Sequence, residues 1–208
     1  MDTNRLETSW RWEGNMSRKR KTGGWSSAVM AIILISVAGS CQAVAGPPLT
    51  GESFPDLKLP VPVESEHLKY LGLDPKVKTT FKLPQVKADV VILEVFSMYC
   101  PYCQNEAPSI NTLYARIAER GLDGRVKLIG LGAGNSAYEV DLFKGKFGIR
   151  FPLLSDSDLS LHTALGQVRT PYFIVVSLKP DGKQQVIYSK VGGIGDPDQF
   201  LDSIVNAA

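Results

Sequence analysis

The stretch Val90-Val91-Ile92-Leu93-Glu94-Val95-Phe96-Ser97-Met98-Tyr99-Cys100-Pro101-Tyr102-Cys103 decides how this sequence is read. Its first seven residues form a β-branched and aromatic run broken only by Glu94, the pattern of a strand buried on both faces. Pro101 suits the first position of a helix, where its fixed φ fits and its missing N–H sacrifices no intrahelical bond. Ile110, Leu113, Tyr114 and Ile117 follow at helical spacing and Gly121 supplies a stop, so residues 101–120 read as one helix. The two cysteines therefore fall at a strand-to-helix junction. Cys100 stands at the helix N-terminus, where unpaired N–H groups and the macrodipole favour an anion. Its pKa is expected below the value of about 8.5 for a free thiol. Cys103 lies one turn further on the same face, as a shielded resolving thiol. Attack by Cys100 on a disulfide would give a mixed disulfide for Cys103 to resolve.

Working outward, Val77–Leu83 reads as a first strand, and Val126–Leu131 as the strand after the long helix. A helix is expected over Ala137–Phe147 and a short one over Asp158–Leu165. Tyr172–Leu178 and Gln185–Val191 flank Lys179-Pro180-Asp181-Gly182-Lys183, whose Pro-Asp-Gly chemistry marks a hairpin turn. Asp198–Val205 closes the chain as a helix. The order β-α-β-α-β-β-α joins a parallel βαβ unit to a terminal antiparallel hairpin. This is an α/β fold with a central mixed sheet flanked by helices. Residues 46–64 are rich in proline and lack apolar periodicity, so 46–76 is expected as an extended segment ahead of a domain at 77–208.

On these residues the sequence resembles the thioredoxin superfamily over about residues 77–208. The run Ser97 to Pro108 (SMYCPYCQNEAP) is similar to the exported TlpA/ResA-like redoxins, which carry a glutamate three residues after the second cysteine and a proline soon after. Glu106 and Pro108 occupy those places. Glu94-Val95-Phe96-Ser97 also resembles the DsbA group, and Glu94 matches the buried acidic residue six before the first cysteine. Thr170-Pro171 matches the cis-proline loop that faces the cysteine pair. The resemblance implies a protein disulfide oxidoreductase in which Cys100 and Cys103 form a reversible disulfide. It further implies that Thr170, Pro171, Tyr99, Pro101 and Tyr102 meet the substrate. Implied partners are protein thiols and disulfides and a membrane electron donor, with the direction leaning to reduction. Two places depart from the pattern: Tyr99 stands where tryptophan is common, and Pro101-Tyr102 is the glutaredoxin-type pair.

Glu94 is costly to bury ionised, so its pKa should rise; it either relays a proton to or from Cys103 or is an edge-facing glutamate paired with a lysine. Glu106 either tunes the thiolates or lies on the solvent face of the helix. Zinc would need two further ligands, and His67 and His162 lack partner spacing, so neither metal nor cofactor is expected. Two rival readings remain open. Ser97 stands three before Cys100, as in a peroxiredoxin-like thiol peroxidase. The thiolates would also suit a Cu(I)- or haem-delivery adaptor of the same fold.

The chain has 208 residues and a formal net charge of +2, but residues 1–45 hold six of its 23 Lys and Arg and three of its 21 Asp and Glu. The remainder carries 17 basic against 18 acidic groups, which offers no phosphate-binding surface and argues against nucleic acid. Arg18-Lys19-Arg20-Lys21 precedes the apolar run Ala28–Gly39, a secretory leader by its basic and apolar regions. Met16 offers an alternative start. Cleavage after Ala43-Val44-Ala45 would release a soluble periplasmic protein, whereas Ala38-Gly39-Ser40-Cys41 resembles a lipoprotein box with a lipid anchor at Cys41. An uncleaved leader would also hold the protein at the membrane. Two cysteines two residues apart do not staple a scaffold; their spacing points to chemistry.

Overall fold

The run Val90–Phe96 forms the middle strand of a five-stranded sheet, and all seven of its residues are buried. The computed structural model describes residues 46–208. The basic cluster, the apolar run, Cys41 and the Ala43-Val44-Ala45 site lie outside the described residues. In chain order the elements are β1 (Leu59–Pro60), α1 (Ser65–Leu71), β2 (Thr80–Phe81), β3 (Val90–Phe96), α2 (Pro101–Glu119), β4 (Val126–Ala133), α3 (Ala137–Phe147), β5 (Leu153–Asp156), α4 (Ser160–Ala164), β6 (Tyr172–Leu178), β7 (Gln184–Val191) and α5 (Pro197–Ala207). The sheet order is β5-β4-β3-β6-β7. Strands β3, β4 and β5 run parallel, while β6 pairs antiparallel with both β3 and β7. This is the mixed sheet flanked by helices that the pattern of elements implies.

Alternation along β3 divides the core into two layers. Val90, Ile92 and Phe96 meet Ile110, Leu113 and Ile117 of α2, Phe143 of α3, and Phe200 and Leu201 of α5. Val91, Leu93 and Val95 face the other way, onto Phe54, Leu59, Leu71, Phe81 and Leu165. Leu113 is wholly buried, so its truncation to alanine would cost about 2–5 kcal/mol.

The core corrects the boundary drawn at residue 77. The segment 46–76 is not extended throughout: it contains α1, ended by Gly72 in the left-handed conformation, and it supplies Phe54, Leu59, Leu71 and Leu73 to one core layer. The expected strand Val77–Leu83 shrinks to Thr80–Phe81, which pairs with Leu59–Pro60 in a separate small sheet. Just beyond it, Leu83–Gln85 turns as a 3-10 helix with Pro84 in its first turn, a position that suits the proline ring. An additional strand, β5, stands at the sheet edge beside β4. Its four residues alternate between half-buried and buried, too short a pattern to identify in sequence after Pro152.

Candidate active site

Cys100 is the N-cap residue of α2, with extended backbone (φ −83°, ψ 115°), and Pro101 opens the helix. A tight turn brings it there: the Cys100 N–H donates to the Ser97 carbonyl at 3.0 Å. Its sulfur is half-buried and lies 3.3 Å from the Thr170 carbonyl oxygen. Cys103 is wholly buried beneath the first turn of α2. Both thiols are free in this structure.

The two sulfurs differ in acidity. For Cys100, partial burial works to raise the pKa, but hydrogen bonding from the Thr170 side chain, from Cys103 and from the Tyr102 backbone outweighs it and holds the thiol below its ordinary value. Burial pushes Cys103 up to about 12, against a smaller opposing contribution from the Ser97 backbone. The outer sulfur is thus the more readily ionised, and the inner one keeps its proton.

Two carboxyls accompany them. Glu94 is 4% exposed, two residues before the end of β3, between Gly130 of β4 and Phe173 of β6. Its neighbours Ile92 and Phe96 face the Cys103 layer, which places Glu94 on that side of the sheet. Burial, reinforced by the negative charge of Glu106, raises its pKa to about 8. Glu94 therefore lies in the central strand, not at an edge. Glu106 is partly buried instead of lying on the solvent face of α2, and its Oε1 accepts the Ile194 N–H at 2.9 Å. Burial raises its pKa as well, with the Ile194 bond opposing.

The Thr170–Pro171 peptide bond is cis. Pro171 lines a groove of about 390 Å³ together with Tyr102, Glu106, Arg169 and Gly193. Tyr99 and Tyr102 are 66% and 74% exposed on either side of the first cysteine. The structure thus gathers Cys100, Cys103, Glu94, Glu106, Thr170, Pro171, Tyr99, Pro101 and Tyr102 at one end of the sheet. The two histidines are engaged elsewhere: His67 with Glu64 and the Arg150 carbonyl, His162 with the Val168 carbonyl.

Sequence reasoning passed over three contributors. Gly193 fits closely against Glu106, since a Cβ there would fall 2.2 Å from Glu106 Oε2. The pair Gly192-Gly193 is the signal that could have pointed to a close approach. Asn135 is wholly buried, and its Oδ1 accepts the Met98 N–H at 2.8 Å. Gln104 Nε2 donates to the Met98 carbonyl at 2.8 Å. Nothing in the local pattern around either residue marks it.

An ionisable thiol at a helix start, a buried partner thiol one turn inside and a cis-proline facing the pair define a thioredoxin-fold dithiol site. Residues 49–203 match the Redoxin family, and the chain belongs to it. Among relatives, the thiol-disulfide oxidoreductase ResA of Halalkalibacterium halodurans is 28% identical over 98 residues, covering 47% of this chain and 53% of its own. ResA of Oceanobacillus iheyensis is 26% identical over 129 residues, covering 61% and 63%. The chain thus spans little more than half the length of the first of these. Among solved structures, StoA from Bacillus subtilis superposes with a TM-score of 0.52 at 20% identity, covering 73% of this chain and 98% of its own. A protein proposed to be the thiol:disulfide interchange protein DsbE of Chlorobium tepidum superposes with a TM-score of 0.56 at 17% identity, covering 77% and 98%. These two likenesses concern the fold.

Proposed function

We propose that this chain is a protein thiol–disulfide oxidoreductase working as an exported reductase through Cys100 and Cys103. The observation that carries the reading is the asymmetry of the sulfurs: Cys100 reachable with a lowered pKa, Cys103 buried with its pKa near 12. The thiolate is the attacking species, so only the outer sulfur is poised to begin an exchange.

The Cys100 thiolate attacks one sulfur of a substrate disulfide; that S–S bond breaks, and the other substrate sulfur leaves as a thiolate. Cys103 then loses its proton and attacks Cys100 Sγ, which expels the second substrate thiolate. Two electrons have passed to the substrate, and the chain is left with a Cys100–Cys103 disulfide. The proton from Cys103 needs an acceptor in a dry site. In its ionised form Glu94, buried on the Cys103 side of the sheet with its pKa raised to about 8 by burial and by the charge of Glu106, would take that proton. The groove beside Pro171 is where the substrate backbone would lie, with Thr170, Tyr99, Pro101 and Tyr102 at its borders.

The lean to reduction rests on the likeness of Ser97–Pro108 to the TlpA/ResA-like redoxins. A reductase working outside the cytoplasm needs re-reduction, which a membrane electron donor would supply, and the leader, with or without a lipid on Cys41, would bring the chain to it.

The test is the reduction potential of the purified full chain in glutathione buffers, together with trapping by Cys103→Ser. A potential near about −270 mV supports a reductase, and one near about −120 mV would make it a disulfide donor instead. Cys103→Ser should accumulate a mixed disulfide on Cys100. Failure of the wild type to form a reversible Cys100–Cys103 disulfide would refute the assignment altogether.

A further inference from the structure

We propose that Asn135, at the junction of β4 and α3, is a positioning residue for the Ser97–Cys100 turn, and that with Gln104 and Glu139 it sets the reactivity of Cys100. The inference rests on the exchange reading above.

The turn that delivers the nucleophile has one internal bond, from the Cys100 N–H to the Ser97 carbonyl. Everything else that holds it comes from outside. Asn135 Oδ1 accepts the Met98 N–H at 2.8 Å, and Gln104 Nε2 donates to the Met98 carbonyl at 2.8 Å, so both backbone polar groups of Met98 are held. Tyr99, the next residue, donates its hydroxyl hydrogen bond to Glu139 Oε1. Glu139 is itself fixed: its Oε2 accepts the Ser136 N–H at 2.7 Å and the Ser136 hydroxyl at 2.8 Å as the capping box of α3. Residues 98 and 99 are therefore tied to residues 135 and 139, within five positions of each other at the start of one helix.

The junction is shaped for Asn135. Gly134 has φ +65°, which turns the chain directly after β4. A Cβ on Gly132 would fall 2.9 Å from Val140 Cγ2, 3.2 Å from Asn135 Cβ and 3.3 Å from Asn135 Oδ1, so only glycine leaves this space. The Asn135 backbone is held on both sides, its N–H donating to the Gly132 carbonyl at 3.1 Å and its carbonyl accepting from Ser155 Oγ at 2.6 Å. Asn135 is a wholly buried amide whose Nδ2 is unpartnered among the described residues, and the one hydrogen bond of its side chain goes to the turn.

The effect reaches both sulfurs. Ser97 and Cys100 begin and end the turn, and the Ser97 backbone, with the Thr170 side chain, opposes the raised pKa of Cys103. A turn freed at Met98 and Tyr99 moves Cys100 Sγ relative to the groups of Thr170, Cys103 and Tyr102 that lower its pKa. Tyr99, where tryptophan is common in the resembling proteins, supplies an oxygen-to-oxygen bond to Glu139 that an indole could not make in the same way.

The test uses the purified full chain and three variants, Asn135→Ala, Gln104→Ala and Tyr99→Phe. The readouts are thiolate absorbance against pH and the rate of exchange with a small aromatic disulfide. Such a reagent needs no docking surface, so a change reports on the sulfur itself. Each variant should raise the Cys100 titration midpoint, Asn135→Ala by about one unit. Below the midpoint that lowers the thiolate fraction about tenfold, partly offset by higher nucleophilicity to a net loss in rate of about threefold. If Asn135→Ala does not fold, Tyr99→Phe decides, because it deletes one exposed hydroxyl. Unchanged midpoints and rates, with only the thermal midpoint lowered, would make Asn135 merely structural and overturn the proposal. No exchange by the unaltered chain would instead remove the functional reading beneath it.

Discussion

Replacing Glu94 by glutamine should remove the pH dependence that this residue imposes on folding. In the unfolded chain a glutamate titrates near 4.5; in the fold, burial and the charge of Glu106 hold Glu94 at about 8. Between those values the native state retains a proton that the unfolded chain has lost, so stability falls as pH rises through the window. The displacement of about 3.5 units, at 1.36 kcal/mol per unit, makes the full loss about 5 kcal/mol. Glutamine has nearly the same shape and no ionisation. Glu94→Gln should therefore be close to wild type at pH 4.5 and more stable by several kcal/mol at pH 8.5. The assay is urea unfolding of both proteins in the reduced state at half-unit pH steps, with ΔG taken as a difference at each pH. Cys100, with its lowered pKa, adds stability as pH rises towards the ordinary thiol value, and Cys103 subtracts it only above that value. Both effects occur in each protein and largely cancel in the difference. A difference that stays within about 1 kcal/mol from pH 4.5 to 8.5 would refute the buried protonated carboxyl, since one pKa unit alone is worth that much.

Glu106→Gln keeps an acceptor for the Ile194 N–H but removes the charge that bears on Glu94. The Glu94 titration should then move down towards the ordinary carboxylate range, as read from the carboxyl carbon shift by NMR; an unmoved titration would uncouple the pair. Gly193→Ala places a methyl group 2.2 Å from Glu106 Oε2, the far end of a flexible side chain, so the carboxylate must shift and strain its bond to the Ile194 N–H. A loss of about 0.5–1.5 kcal/mol, the net worth of one hydrogen bond, is expected by chemical denaturation, and a neutral result would show that the carboxylate moves without losing it.

What could be read from sequence is what is local. Strand β3, the cysteine pair and α2 are contiguous, so periodicity and the Pro101 signal suffice to place a thiol at a helix start. The hairpin of β6 and β7 was legible for the same reason, through its Pro-Asp-Gly turn. Helix α1 and strand β5 were not, because neither has the length to declare its period; each exists by burying a face against a sheet that other segments build. The site divides in the same way. Cys100 and Cys103 are three positions apart, but Met98 and Asn135 are separated by 37, and Glu106 and Ile194 by 88. Spacing rules carry no information at such separations. A sequence can therefore name two candidate sulfurs, whereas the contacts proposed to set their reactivity run through Asn135 and Glu139, which only the folded sheet brings within reach. If those contacts act as proposed, the CPYC motif by itself leaves the direction of electron flow open.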